Sequence, residues 1–170
     1  MNSGPLTGVT ILDCTIWQNG PFATVMLSDL GAQVIKVEDP AAGDPGRGFM
    51  DAGASGGVSG YFEAMNRNKR SITLDLKSAA GQAVFHRLAG RADVVIQNWR
   101  LGGAEKLKVA YADLRPLNPR LIYASATGFG PEGPDAAVGV FDILGQARSG
   151  VLQALRNPGD PVEYNNAFGL

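Results

Sequence analysis

Short runs of Val, Ile and Leu recur along the chain, separated by segments with helical or turn signals. Runs that are apolar at successive positions, and bounded by glycine or polar residues, are typical of strands buried on both faces of a parallel sheet. The pattern predicts five such strands, at residues 8–13, 33–38, 71–75, 93–97 and 121–125.

Helical signals fall between these strands. Pro21 suits the first turn of a helix, Gly31 suits a helix end, and Ser78 suits a helix N-cap. The predicted helices span residues 22–30, 61–66, 81–89, 111–117 and 142–155. Alternating strands and helices indicate an α/β fold, in which helices cover both faces of a parallel sheet.

Two segments rich in glycine and proline, residues 39–60 and 127–139, interrupt this alternation. Loops of this length inside a compact domain are often functional. Ligands of parallel α/β sheets bind beyond the carboxyl ends of the strands. We therefore expect the segments that end the strands, residues 13–18, 75–77, 97–99 and 127–142, to converge on one rim of the sheet.

Composition excludes several classes of function. The chain has 170 residues with 15 basic and 16 acidic side chains, so its net charge gives no general attraction for nucleic acid or an anionic membrane. A single cysteine and a single histidine exclude an internal disulfide and a metal site built from several Cys or His ligands. No apolar run has membrane-spanning length and the N-terminus lacks a signal-peptide pattern, so we expect a cytoplasmic protein.

Common nucleotide-binding and nucleophile motifs are missing from the sequence. No Gly-x-Gly-x-x-Gly follows the first strand, and no Walker motif occurs. His86 lies within a predicted helix and is interpreted as solvated, while Cys14 follows a buried strand and is interpreted as a core residue. The cation-rich segment 66–77 has two interpretations: a solvated loop before a strand, or a site for the phosphates of a soluble anionic cofactor.

Several polar motifs follow one another along almost the whole chain. The first is Asp13-x-x-x-x-Gln18-x-Gly20-Pro21, the longest covers residues 66–77, and others lie at residues 30–38, 92–99, 117–125 and 128–134. Together and in this order they resemble the family III CoA-transferases. This group includes the formyl-CoA, carnitine and bile-acid CoA-transferases and the α-methylacyl-CoA racemases.

The resemblance implies a Rossmann-like large domain, which in the family is joined to a smaller domain, and a homodimer of interlocked chains. It also implies an enzyme that moves CoA between carboxylic acids through an anhydride with an aspartate of the enzyme. The substrates implied are an acyl-CoA thioester and a carboxylic acid. Such a reaction needs no prosthetic group and no metal.

The matched motifs also imply a set of site residues. Gln18 would lie near the acyl thioester, and a backbone N–H near Asp142, at the start of the late helix, would donate to the thioester oxygen. Phe141 would line the acyl pocket, and it stands where the racemases have a histidine base, which favours a transferase. CoA itself would contact Leu74, Lys77, Asn98, Trp99 and Lys106.

The nucleophilic aspartate of the family does not occur at its expected place. Residues 165–170 resemble the approach to it, and the sequence ends before an aspartate follows. We therefore expect residues 1–170 to be the N-terminal, CoA-binding segment of the large domain, truncated before the small domain and inactive alone. Two alternatives stay open: a 2-methylacyl-CoA isomerase of the same architecture, and a non-catalytic domain that binds CoA or a partner chain.

Overall fold

The computed structural model describes residues 3–49, 57, 59–157, 159–161 and 163. The chain divides into two compact units, Met1–Ala126 and Thr127–Leu170. The first unit contains β1 (Thr10–Cys14), α1 (Asn19–Asp29), β2 (Gln33–Glu38), a 3₁₀ turn (Pro45–Gly48), α2 (Gly60–Asn66), β3 (Arg70–Thr73), α3 (Ala79–Ala89), β4 (Val94–Gln97), α4 (Gly103–Lys106), α5 (Tyr111–Leu114) and β5 (Ile122–Ser125). The second contains α6 (Asp142–Ser149) and α7 (Val151–Ala154). Within the described ranges, no helix is both long and apolar enough to cross a membrane.

The sheet is parallel throughout, with its strands in the order β3-β2-β1-β4-β5. β1 is central, with β2 on one side and β4 on the other. The chain runs from β1 through β2 to β3 on one side and then crosses to β4 and β5 on the other side of β1, which is the Rossmann-like arrangement. The predicted fold class, an α/β fold with a Rossmann-like parallel sheet, is confirmed.

Helices cover both faces of this sheet because successive side chains of a strand point to opposite sides. On one face, Leu12 belongs to a core cluster with Phe85 of α3 and Leu114 of α5. On the other face, Ile11 belongs to a second cluster, against which Leu27 of α1 packs. Strand residues that are apolar at successive positions therefore have a buried partner on each side.

Side-chain caps explain where two of the helices begin. The Ser78 hydroxyl accepts a hydrogen bond from the N–H of Gly81 at 3.0 Å, and the Ser59 hydroxyl accepts one from the N–H of Phe62 at 3.1 Å. Gly31, with φ of +102°, lies just past the end of α1 in a backbone conformation that glycine adopts without strain.

The structure also corrects several predicted boundaries. β2 matches at both ends, whereas β1 starts at Thr10 rather than at residue 8. A single helix over residues 142–155 is wrong, because Gly150, with φ of +81°, separates α6 from α7. Neither α4 nor the 3₁₀ turn was predicted, since elements of four residues are too short to show a hydrophobic period.

Replacing Gly81 with alanine should destabilise the fold, because the added Cβ would lie 2.0 Å from the carbonyl oxygen of Asp75. We expect Gly81→Ala to lower the free energy of unfolding by about 1–3 kcal/mol, the usual cost of overpacking. Gly60→Ala is the matched control, since it also lies in the first turn of a helix but meets open space. Urea denaturation checks the pair, and equal midpoints for the two variants would contradict the steric explanation.

Candidate functional site

A cleft of about 240 Å³ lies in the first unit, at the carboxyl edge of the sheet. Its lining comes from the ends of β1 and β2 and from the segments that follow β3 and β4. Ligands of parallel α/β sheets bind at this edge. The lining includes the apolar side chains Leu74, Leu76, Trp99 and Leu107 and the charged side chains Lys36, Glu38, Asp39, Asp44 and Lys77.

Three of the five residues predicted to contact CoA line this cleft together: Leu74, Lys77 and Trp99. Asn98 directly precedes Trp99 and is half-buried. Lys106 is exposed at the end of α4 and is not among the lining residues, although the next residue along the chain is. The structure therefore brings the predicted β3 and β4 segments together, and it leaves Lys106 outside the lining.

Gln18 lies in the turn between β1 and α1, directly before the first residue of the helix. Its side chain is half-buried, and its carbonyl oxygen accepts the N–H of Phe22 at 2.7 Å. The neighbouring turn residues Thr15 and Ile16 line the cleft. Gln18 is thus carried by a turn that forms part of the cleft wall.

The side chain of Asn98 holds this turn in place. Its Oδ1 accepts the N–H of Ile16 at 2.9 Å, and its Nδ2 donates to the carbonyl oxygen of Ile16 and to Oδ1 of Asn19, both at 2.8 Å. Both N–H groups of the amide are therefore used within the protein. The motif predicted that Asn98 contacts CoA. It did not predict that the Asn98 side chain also fixes the turn after β1 by hydrogen bonds.

Charged side chains are buried beside the cleft, where isolated charges would be costly. Sequence reasoning placed Asp13 at the rim of the sheet and Lys69 among the cations that could meet phosphates, and it did not pair them. The structure pairs Asp13 with Lys69 (3.0 Å), Lys36 with Asp44 (2.7 Å) and Glu38 with Arg47 (2.7 Å). One sequence signal indicated these buried pairs: the apolar strand β2 carries charged residues at two alternate positions, Lys36 and Glu38.

The Asp13 carboxylate is fully buried and stays ionised because of its partners. Burial by itself raises the pKa of this group, but the ammonium groups of Lys36 and Lys69 and the hydroxyl groups of Thr15 and Thr24 outweigh it. The pKa of Asp13 therefore lies below its ordinary value. Burial has the opposite effect on Lys69, whose pKa is lowered although Asp13 favours its charged form.

Glu38 at the end of β2 fixes the loop that follows. It accepts two hydrogen bonds from Arg47, one from the Ser71 hydroxyl and one from the N–H of Asp44. Burial alone would raise the pKa of Glu38, but these hydrogen bonds and the charge of Arg47 lower it to about 2. The loop from residue 39 to residue 49 is thus tied back to the sheet edge.

Neither Cys14 nor His86 resembles a catalytic group. Cys14 is buried, as predicted, and burial raises the pKa of its thiol far above the ordinary value. His86 is half-buried rather than solvated, and its Nε2 lies 2.8 Å from the carbonyl oxygen of Lys108. Among the described residues, no group of three or more His, Cys, Asp and Glu side chains could hold a metal ion.

Phe141 and Asp142 belong to the second unit and are described within it. Phe141 is the N-cap of α6 with an exposed side chain, and its carbonyl oxygen accepts the N–H groups of Leu144 and Gly145. Asp142 is the first residue of α6, and its carboxylate accepts a hydrogen bond from Gln146 at 3.1 Å. The predicted position of Asp142 at a helix start is therefore correct.

Some predicted features lie outside the described residues. The segment 165–170, which resembles the approach to a nucleophilic aspartate, is one of them. In the long loop predicted over 39–60, the described residues are 39–49, 57, 59 and 60.

The profile of the family described as "CoA-transferase family III" matches residues 6–169. The chain belongs to this family. The match includes the strands that form the cleft and the turn that carries Gln18.

Curated family III relatives resemble the chain over nearly its whole length. The acetyl-CoA:oxalate CoA-transferase of Acetobacter aceti is 42% identical over 158 residues, which are 93% of this chain and 40% of that protein. The succinate–glutarate CoA-transferase of Agrobacterium fabrum is 42% identical over 165 residues, 94% of this chain and 41% of that protein. The chain spans about two fifths of the length of these relatives.

A solved structure agrees with the fold. The CAIB/BAIF family protein from Brucella suis superposes with a TM-score of 0.90 at 37% identity, covering 97% of this chain and 44% of that one. This likeness supports the Rossmann-like assignment of the first unit.

The lowered pKa of Glu38 predicts an acid-sensitive contribution to stability. The folded value of about 2 lies below the ordinary 4.5, so the contribution is present above about pH 5 and is lost as the pH falls toward about 2. We therefore expect the stability difference between the wild type and Glu38→Gln to shrink over this range. Urea titrations at several pH values measure it, and a difference that stays constant down to pH 3 would contradict the assignment.

Proposed function

We propose that this chain is the N-terminal, CoA-binding segment of the large domain of an enzyme that moves CoA between carboxylic acids. The observation that carries the proposal is the cleft at the carboxyl edge, where Leu74, Lys77 and Trp99 meet beside the turn of Gln18. Family membership and the names of the relatives, which are CoA-transferases for oxalate, succinate and glutarate, support it.

In the proposed complex, each site residue has its own role. The apolar wall of Leu74 and Trp99 accommodates the uncharged parts of CoA, and Lys77 at the exposed end pairs with its phosphates. Asn98 lies along the CoA path, and Lys106 adds a positive charge facing the phosphates. No prosthetic group is needed, since CoA thioester is the substrate.

The proposed chemistry conserves the energy of the thioester. A carboxylate of the enzyme attacks the acyl carbon, the C–S bond breaks, and CoA leaves as a thiolate while an acyl–enzyme anhydride forms. The thiolate then attacks the enzyme side of the anhydride, which releases the first acid and leaves CoA as a thioester on the enzyme carboxyl group. The acceptor acid attacks this thioester to form a second anhydride and frees the CoA thiolate. The thiolate finally attacks the acceptor side of that anhydride, which gives the new acyl-CoA and restores the enzyme carboxylate. The thiol of CoA has an ordinary pKa of about 8.5, which makes the thiolate a tolerable leaving group.

By the motif match, Gln18 of the first unit would lie near the acyl thioester. The role proposed for the second unit, considered by itself, is that a backbone N–H near Asp142 donates to a thioester oxygen as negative charge develops there. We assign the nucleophilic aspartate to no residue of this chain. The chain alone therefore binds CoA without turnover, and activity requires the remainder of a family-length protein, which we propose to be an interlocked homodimer.

The charge of Lys77 should contribute directly to CoA affinity. We expect Lys77→Ala to weaken CoA binding about tenfold, because a charge-assisted hydrogen bond to phosphate is lost. Arg120→Ala is the matched control: it removes an equally exposed positive charge, but just before β5, at the opposite edge of the sheet. Isothermal titration calorimetry measures both, and equal affinities for the two variants would argue against the assigned site.

The main alternative, an isomerase of 2-methylacyl-CoA, requires a side chain that moves a proton at the α-carbon. Phe141, at the matching position, has no titratable group. In a family-length protein that carries this segment, we expect CoA transfer without exchange of the α-hydrogen for deuterium from solvent. Mass spectrometry of recovered acyl-CoA checks this expectation. Deuterium incorporation would favour the isomerase, and neither transfer nor exchange would favour a non-catalytic CoA-binding domain.

A further inference from the structure

The turn that carries Gln18 has a backbone conformation that its sequence does not favour. Trp17 has φ of +65°, in the left-handed region that aromatic residues rarely adopt. Such a conformation persists only where the surrounding structure holds it. The groups that hold Trp17 therefore decide where the next residue, Gln18, is placed.

Besides the side chain of Asn98, which bonds to Ile16 itself, a buried ion pair holds the turn on both sides of Ile16. The ammonium group of Lys36 donates to the carbonyl oxygen of Thr15 at 2.7 Å, and Oδ1 of Asp44 accepts the N–H of Trp17 at 3.3 Å. The two side chains also meet each other, with 2.7 Å between Nζ of Lys36 and Oδ2 of Asp44. The pair thus forms a closed link with the backbone of the turn.

The same carboxylate also organises the loop after β2. Oδ1 of Asp44 accepts the N–H of Gly46 at 2.8 Å and thereby caps the 3₁₀ turn. The N–H of Asp44 donates to Oε2 of Glu38 at 3.0 Å. One side chain therefore connects the loop after β2 with the turn after β1.

We propose that Lys36 and Asp44 are positioning residues, which assemble the thioester end of the cleft by holding the strained turn of Gln18 before ligand binds. This inference rests on the proposed function, which places Gln18 beside the thioester. Neither residue needs to contact the reacting atoms. Their effect is preorganisation: the bound geometry exists beforehand, so binding does not have to order the turn.

A purely stabilising role does not account for this arrangement. Replacing a buried ion pair by apolar side chains is often neutral for stability, because the pair has to offset the desolvation of both charges. Here each charge also bonds to the backbone of one irregular turn, and Lys36 lies in the sheet as the register partner of Asp13. The pair therefore acts on the turn and on the loop that Asp44 caps, and we expect the loss of order after its removal to be concentrated in these two segments.

The binding test compares two probes with the 170-residue chain: acetyl-CoA, and 3′-phosphoadenosine 5′-diphosphate, which lacks the pantetheine arm. In the apolar double variant Lys36→Met/Asp44→Leu, which removes both charges and the acceptor for the N–H of Trp17, we expect acetyl-CoA to bind about tenfold more weakly, while the affinity for the nucleotide probe stays within about twofold. Leu27→Ala, which thins the second core cluster and lies outside the cleft lining, is the control for lost stability and should change neither affinity. Should the double variant not fold, Asp44→Glu, which keeps a charge beside Lys36 but shifts the carboxylate relative to the N–H of Trp17, permits the same comparison.

Amide hydrogen exchange provides a second readout without ligand. We expect the N–H of Trp17 to exchange about tenfold faster in the double variant, relative to the N–H of Leu12 in the central strand. Parallel changes at Trp17 and Leu12, or equal losses of affinity for both probes, would overturn the positioning role. A wild type that binds neither probe would instead contradict the proposed function, and the exchange measurement would still decide whether the pair holds the turn.

Discussion

The carboxyl edge of this sheet depends on one constraint: the charged side chains buried there must be paired with opposite charges. Asp13, Lys36 and Asp44 have side chains almost completely removed from solvent. Each is tolerable only because an opposite charge and several hydrogen-bond donors or acceptors lie within contact distance. The same contacts tie together the ends of β1 and β2 and the loops that follow them. The ion pairs that neutralise the buried charges therefore also determine the shape of the cleft.

Much of the fold could be predicted because its signals are local. Apolar runs flanked by glycine and polar residues located the strands, and the predicted cap Ser78 is the observed N-cap of α3, although the predicted helix began at residue 81 and the observed one begins at Ala79. The break at Gly150 was missed, because a glycine inside an apolar segment does not by itself say whether the helix continues through it. Short elements such as α4 carried no periodic signal.

The candidate site was predictable only in part. The rule that ligands bind at the carboxyl ends of parallel strands was enough to bring Leu74, Lys77 and Trp99 to one edge. The ion pairs were not predictable, since Asp13 and Lys69 lie 56 positions apart and only the strand order makes them neighbours. Asn98 shows the same gap: its residue type and motif suggested ligand binding, whereas its hydrogen bonds lie within the protein.

The central place of β1 has a consequence for how the chain is made. β1 lies near the N-terminus, yet one of its two neighbours, β4, is formed by residues 94–97. During synthesis on a ribosome, one side of β1 therefore waits without its hydrogen-bonding partner until more than half of this polypeptide has been translated. Non-local pairing of this kind slows folding and leaves an apolar strand edge open in the meantime, which exposes the nascent chain to aggregation.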